Sequence, residues 1–76
     1  MSAPRVESGW VVVGIDGHAE TSRFEMVLGT ERKPAFLDFS QGRRVAKVRP
    51  PAGVTGRLAV QLVVDGVVAV STIVML

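Results

Sequence analysis

The chain of 76 residues contains no cysteine and no tyrosine, and it has only one tryptophan and one histidine. Without cysteine, the protein can form neither a disulfide nor a zinc site built on thiolates, so two common ways of stabilising a small domain are excluded. One domain over residues 1–76 is near the lower size limit for a self-sufficient core. We therefore expect association with copies or with a larger partner to supply additional stability.

A convincing helical pattern is also absent, since no segment sustains apolar spacing at i, i+3, i+4 and i+7. Short apolar runs occupy residues 10–15, 23–28, 35–40, 43–49 and 58–76. Turn residues separate them at 14–18, 29–34, 41–42, 50–56 and 65–66. The pattern predicts an all-β fold, a small antiparallel sandwich or barrel of about six short strands that ends in a very hydrophobic hairpin. Residues 1–8 are predicted to form an extended N-terminal arm.

The last nineteen residues, 58–76, carry a single charged side chain, Asp65, which precedes Gly66 between two valine-rich arms. An Asp-Gly pair suits a two-residue type I′ turn, so these arms are predicted to form a β-hairpin. Both arms are apolar on both sides, which predicts that the rest of the chain or another chain covers each face. The final strand lacks charge and proline, and an exposed edge of this kind would template aggregation. Candidate assembly residues are Val70, Ile73, Val74, Leu76 and Trp10.

The aromatic residues allow two interpretations. Trp10 opens a run of three valines, which indicates an anchor in the core, and an interface hot spot is the alternative. Phe36 and Phe39 lie in an apolar run and are also interpreted as core residues.

No apolar run of signal-peptide length follows the N-terminus, so export is not expected, and the chain is predicted to be cytoplasmic or assembled into a particle. The apolar residues 58–76 approach the length of a membrane anchor. A membrane helix over these residues would place the charge of Asp65 near the centre of the bilayer, which is costly. The density of valine also favours strands over a helix.

A basic segment combines five cations within fifteen residues that include no acidic group. Its members are Arg43, Arg44, Lys47, Arg49 and Arg57. On an extended strand, Arg43, Lys47 and Arg49 share one side. Three interpretations are open: a solvated face, a contact for a protein partner, or a track for the phosphates of a nucleic acid.

Catalytic patterns are scarce. Asp16, His18 and Glu20 alternate, so in an extended segment they would present two carboxylates and an imidazole to a divalent cation. A polar turn between strands explains the same residues. The chain has no Gly-x-Ser-x-Gly motif and no glycine-rich phosphate loop with its lysine. We expect no enzyme activity, no cofactor and no metal.

Residues 48–69 combine a Pro-Ala-Gly-x-x-Gly connection with a valine-rich strand, a turn and the start of a final strand. This segment resembles the last two strands of small immunoglobulin-like β-sandwich modules in bacterial and phage proteins. The resemblance implies a module that holds or binds other molecules. Together with the hairpin, it predicts a non-enzymatic structural or interaction module that assembles with copies or docks to a larger complex, for example a phage-like particle. The alternative is a small nucleic-acid-binding β-barrel that uses the basic segment.

Overall fold

The structure, a computed structural model, describes residues 3–19 and 21–76. The described residues form eight strands and no helix, which confirms the all-β prediction. The strands are β1 (Arg5–Glu7), β2 (Trp10–Gly14), β3 (Phe24–Leu28), β4 (Glu31–Pro34), β5 (Phe36–Ser40), β6 (Arg43–Val48), β7 (Arg57–Val64) and β8 (Val67–Met75).

Two four-stranded antiparallel sheets form a small sandwich. Sheet A has the order β1-β2-β6-β5, and sheet B has the order β4-β3-β7-β8. Ala35 alone joins β4 to β5, so the chain changes sheet there, while β1 lies beside β8 on the other side. The edges β5 and β8 are therefore at diagonally opposite corners of the sandwich.

The structure has two strands more than the sequence predicted. β1 forms within the predicted N-terminal arm and pairs with β2, while residues 1 and 2 of that arm lie outside the described residues. β4 forms within the predicted turn 29–34, where only Gly29 and Thr30 separate it from β3. Its charged sequence, Glu-Arg-Lys-Pro, concealed it because a strand with no apolar side gives no alternating signal.

Four two-residue turns build four hairpins, which alternate between sheet A and sheet B. Ser8-Gly9, Gln41-Gly42 and Asp65-Gly66 have positive φ at both positions, between 51° and 83°, as a type I′ turn requires. The fourth turn begins with Gly29, whose φ is 66°, as in a type II′ turn. Such turns match the twist of the strands and therefore fix the register of each hairpin.

The core fills the space between the sheets. Its fully buried members include Val11, Val13 and Ile15 from the β2 side and Met26, Leu28, Val60 and Leu62 from sheet B. Alternate residues of β3 and β7 point inward, as the period of two dictates. No polar or charged side chain is buried among the described residues.

Two interpretations of the aromatic residues are wrong. Trp10 is only partly buried and lies outside the core cluster. Phe36 and Phe39 are 62% and 70% exposed. Both phenylalanines belong to β5, an edge strand whose sides the rest of the chain leaves open.

Gln41 is a non-glycine residue in the left-handed region, with φ at 54°. Asparagine tolerates this region better and is favoured before glycine in type I′ turns. We expect Gln41→Asn to raise the free energy of unfolding by about 0.5 kcal/mol. Urea unfolding followed by circular dichroism measures the change. Gln41→Ala is the matched control and should give no gain; equal values for the two variants would contradict the assignment.

Candidate assembly edges and basic face

Two of the four edge strands are protected against pairing with another chain. β1 has three residues, of which Arg5 and Glu7 are charged and bridge at 3.0 Å. β4 has four residues, all charged except its last, Pro34. Short length, charge and proline are the features by which natural sheets block their edges.

β8 lacks all of these protective features. It has nine residues without charge or proline. Its exposed large side chains are Val67, Val68, Ile73 and Met75. The outer side of the hairpin is thus open to solvent in the single chain, and an exposed, long, apolar edge is a site for pairing with another strand.

Hydrogen bonding shows which backbone groups of β8 are directed outward. Leu76 N–H donates to the Gly56 carbonyl at 2.8 Å. Residues of an antiparallel ladder alternate between groups that bond to the partner and groups that point away. Along the register of β8, Ser71, Ile73 and Met75 therefore direct their N–H and C=O groups away from β7. A register shift leaves Ala69 unpaired, so the regular part of this edge follows it.

The five predicted assembly residues do not form one surface. Val74 is buried, and Val70 and Leu76 pack against the core from its margin. Ile73 points outward and is 58% exposed. Trp10 lies on the other sheet, on the side that faces away from the core. Ile73 is the member of this set that the structure places at the open edge.

β5 is the second open edge: it carries one charged residue, Asp38, beside three exposed apolar side chains, and its place at an edge was not predicted from the sequence. Leu37 and Phe39 occupy positions on the core side of sheet A but are 52% and 70% exposed, because sheet B does not cover them. A groove of about 270 Å³ opens there and is lined by Ile15, Leu37, Asp38, Phe39 and Arg44. Local sequence shows an apolar strand here, whereas its place at an edge depends on strand order.

The side chain of Asp38 accepts a hydrogen bond from a backbone donor of its own strand, β5. Its Oδ1 accepts a hydrogen bond from Phe39 N–H at 2.8 Å, and its Oδ2 accepts one from Lys47 Nζ at 2.7 Å. These bonds, that of Lys47 first, hold the pKa of Asp38 below its ordinary value. Since Phe39 N–H bonds to this side chain and not to β6, it points toward the free edge.

The basic segment divides between the two sheets. Arg43, Lys47 and Arg49 follow the outer side of sheet A, as strand alternation predicted. Arg44 lies on the opposite side, where its Nη1 donates to the His18 carbonyl at 3.0 Å. Arg57 begins β7 in sheet B. Three of the five predicted cations thus share a surface, which we call the basic face.

Trp10 lies at one end of the basic face, beside Lys47 and Arg49. Lys47 Nζ is 4.6 Å and Arg49 Cζ is 4.4 Å from the centre of its ring, both in the range of a cation–π contact. Phe36 meets the same ring edge to face at 5.9 Å. The fold therefore places the rings of Trp10 and Phe36 beside Lys47 and Arg49. The sequence of the basic segment did not indicate this arrangement, because the segment itself contains no aromatic residue.

Acidic side chains neutralise part of the basic face. Lys47 bonds to Asp38 at 2.7 Å, and Arg43 approaches Asp16 at 3.6 Å. Glu7 accepts from Ser40 Oγ at 3.1 Å, which joins the two edge strands across the outer side of the sheet. Sheet A must curl for these edges to meet, and Val12 and Val45 are buried beneath the curl.

The loop with alternating Asp16, His18 and Glu20, for which a cation site was the alternative to a polar turn, lies between β2 and β3. His18 packs edge to face on the buried Phe24, with ring centres 5.9 Å apart. Asp16 contacts Arg43, and Glu20 lies outside the described residues. Within residues 3–19 and 21–76, no three potential metal ligands come together.

Asp65 ties the terminal hairpin to the start of β3. Its backbone N–H donates to the Arg23 carbonyl at 2.9 Å, and its Oδ1 accepts from Arg23 N–H at 2.8 Å. The Arg23 N–H, followed by the Ser22 hydroxyl, lowers the pKa of Asp65. Asp65 thus permits the turn and also holds that turn against the start of β3.

Acid unfolding tests this role of Asp65. Its folded-state pKa is below the unfolded value near 3.8, so its contribution is complete above that pH and is lost as pH falls through the folded pKa. Asp65→Asn keeps a favourable turn and an acceptor oxygen but removes the titration. We expect a shallower fall in the free energy of unfolding below about pH 4, measured by urea titrations at several pH values. A slope as steep as that of the natural protein would contradict this.

The part of the chain that the structure describes contains no helix long and apolar enough to cross a membrane. Comparison of the sequence with known family models and with curated proteins, and of the fold with solved structures, found no match.

Proposed function

We propose that this protein is a non-enzymatic interaction module that assembles with copies of itself or docks to a larger protein complex through strand β8. The observation that carries the proposal is the open edge of β8, with nine uncharged residues and outward backbone groups at Ile73 and Met75. Strand addition at such an edge gains main-chain hydrogen bonds and buries apolar side chains together. Neither gain requires a cofactor.

We also infer that the module is immunoglobulin-like, and strand order supports this. Immunoglobulin sandwiches place strands A-B-E-D in one sheet and C-F-G in the other, with C′ added beside C in larger members. If β1 to β8 are lettered A, B, C, C′, D, E, F and G, the two sheets here have the same order. The chain departs from antibody domains because it has no cysteine or tyrosine, and its tryptophan lies on β2, the second strand.

Placement in a particle, such as a phage-like assembly, fits a free β-module that presents an open edge. The same edge would serve an accessory subunit of another protein complex. In either case the proposal requires β8 to be covered in the assembled state.

Light scattering coupled to size-exclusion chromatography tests the edge. We expect the natural chain to exceed its monomer mass of 8.1 kDa. Ile73→Lys places a charge on the contact surface and should weaken association at least about tenfold. Val54→Lys is the matched control, since it changes an exposed valine in the β6–β7 loop. A natural chain that is monomeric at every concentration, with no partner bound through β8, would refute the proposal.

Nucleic-acid binding is the second candidate function. It is favoured by Trp10 and Phe36 beside Lys47 and Arg49, because single-stranded nucleic acids bind surfaces that combine aromatic rings with cations. The ion pairs made by Lys47 and Arg43 weigh against it, since phosphates would have to compete with Asp38 and Asp16.

Fluorescence anisotropy with a labelled single-stranded oligonucleotide tests this candidate. Binding at the basic face should weaken about twentyfold between 50 and 200 mM salt if three phosphates of a single strand are contacted. Arg49→Ala should reduce it further, whereas Arg57→Ala, on the other sheet, should not. Equal effects of the two substitutions would show that any binding is nonspecific and would exclude the basic face as its site.

A further inference from the structure

We propose that the partner of β8 is strand β5 of a second copy, so that copies join head to tail, with sheet B of one continuing into sheet A of the next. This inference rests on the proposed function and specifies its acceptor. The supporting observation is that β8 and β5 are both open edges. On each of them, the outward backbone groups belong to exposed apolar residues.

Backbone direction makes the two edges complementary. On β8 the outward N–H and C=O groups belong to Ile73 and Met75. On β5 the Phe39 N–H is directed outward, and Arg44, opposite Phe39, uses its carbonyl for Ile15 N–H on the other side. By the same alternation, Leu37 also directs its backbone groups outward. Each edge therefore directs the backbone groups of two residues outward, and in the single chain Asp38 accepts a hydrogen bond from one of them, the Phe39 N–H.

Pairing these residues brings four exposed apolar side chains together. An antiparallel ladder that sets Leu37 opposite Met75 and Phe39 opposite Ile73 uses the outward groups of all four. Directly opposed residues place their side chains on the same side of a sheet. Ile73 and Met75 of the incoming strand would then lie beside Leu37 and Phe39, on the side where the groove of about 270 Å³ opens.

Lengths also agree. Beyond the bulge at Ala69, the regular part of β8 covers residues 70–75, and β5 has five residues. Self-pairing over the whole of β8 would centre on Ser71 and set Ile73 opposite Ala69, where the ladder is interrupted. It would also leave Leu37 and Phe39 exposed, whereas the head-to-tail contact covers both open edges at once.

Asp38 marks the position at which an acceptor of an added strand would meet β5. Its carboxylate oxygen stands 2.8 Å from Phe39 N–H, where a carbonyl of an added strand would lie. The incoming carbonyl would replace this oxygen, while the other oxygen of Asp38 keeps its bond to Lys47. Asp38 thus caps the edge in the single chain. Pairing would exchange its bond to Phe39 N–H and leave its bond to Lys47 in place.

The contact is heterologous, because it joins two different surfaces. β5 and β8 are at opposite corners of one chain, so both remain available when copies add at either end. Assembly then grows into a ring or a filament and does not stop at a dimer.

Two variants, each blocked at one edge, test the arrangement. Ile73→Lys blocks β8 and leaves β5 free, and Phe39→Lys blocks β5 and leaves β8 free. Both side chains are largely exposed, so the fold should persist, as circular dichroism would verify. We expect each variant alone to be monomeric and an equimolar mixture to form a 1:1 dimer that grows no further. Light scattering gives the masses, with Val54→Lys as control and Leu37→Lys as a second block of β5.

Each other outcome overturns the inference in a distinguishable way. If Phe39→Lys and Leu37→Lys still assemble while Ile73→Lys does not, β8 is the docking edge but β5 is not its acceptor. If the mixture stays monomeric although each variant is folded, the two edges do not pair. If the natural chain itself never assembles, the inference fails together with self-assembly as its basis, and docking to a different protein is left for β8.

Discussion

The arrangement of this sandwich depends on four tight turns in which the backbone adopts positive φ angles. Ser8-Gly9, Gln41-Gly42 and Asp65-Gly66 reverse the chain within two residues, and Gly29 does so between β3 and β4. Each turn sets one hairpin register and therefore decides which valines face the core. Because consecutive hairpins go to alternate sheets, the two central strands of each sheet come from different halves of the chain. Asp65 adds a tertiary link, since it holds Arg23 by two hydrogen bonds.

With so few residues, the sandwich buries mainly the side of each sheet that faces the other. The long side chains over sheet A bury Val12 and Val45 on its outer side, with Trp10, Lys47 and Arg49 in mutual contact nearby. No such cover extends over Ile73 and Met75 on the outer side of β8, or over Leu37 and Phe39 on β5. The cations of the basic face are thus largely engaged in internal contacts, whereas these four apolar side chains of the two edges remain exposed. This difference is why we place the interaction on the edges.

The sequence was sufficient for the fold class and for most turns, because Asp65-Gly66 and Gln41-Gly42 give local signals and the valine runs alternate with them. It was insufficient for β4, whose four polar or proline residues show no periodicity, and for the position of Phe36 and Phe39. An apolar strand at a sheet edge and one at its centre have the same local pattern. Phe36 and Phe39 are exposed because β5 has a single neighbour, β6, and this depends on the strand order of the whole sheet. For the same reason, the sequence could not distinguish the exposed Ile73 from Val70, Val74 and Leu76, which pack in or against the core. The shift at Ala69 that sets the faces of β8 has no local signature.

The open edges are not a necessary result of this topology. The two halves of the chain, β1 to β4 and β5 to β8, occupy equivalent places in the fold. Replacing each strand by its counterpart in the other half gives the same strand order, read from the opposite edge. β1 therefore corresponds to β5, and β4 corresponds to β8. In the first half, both edge strands are short and charged, and β4 ends in proline. In the second half, the equivalent positions carry Phe36, Leu37 and Phe39 on β5 and an uncharged nine-residue strand on β8. One fold thus holds two protected edges and two open ones in equivalent places. The charged residues of β1 and β4 show that this fold accommodates polar edge strands, and the exposed apolar residues of β5 and β8 are the basis on which we propose contact with another strand.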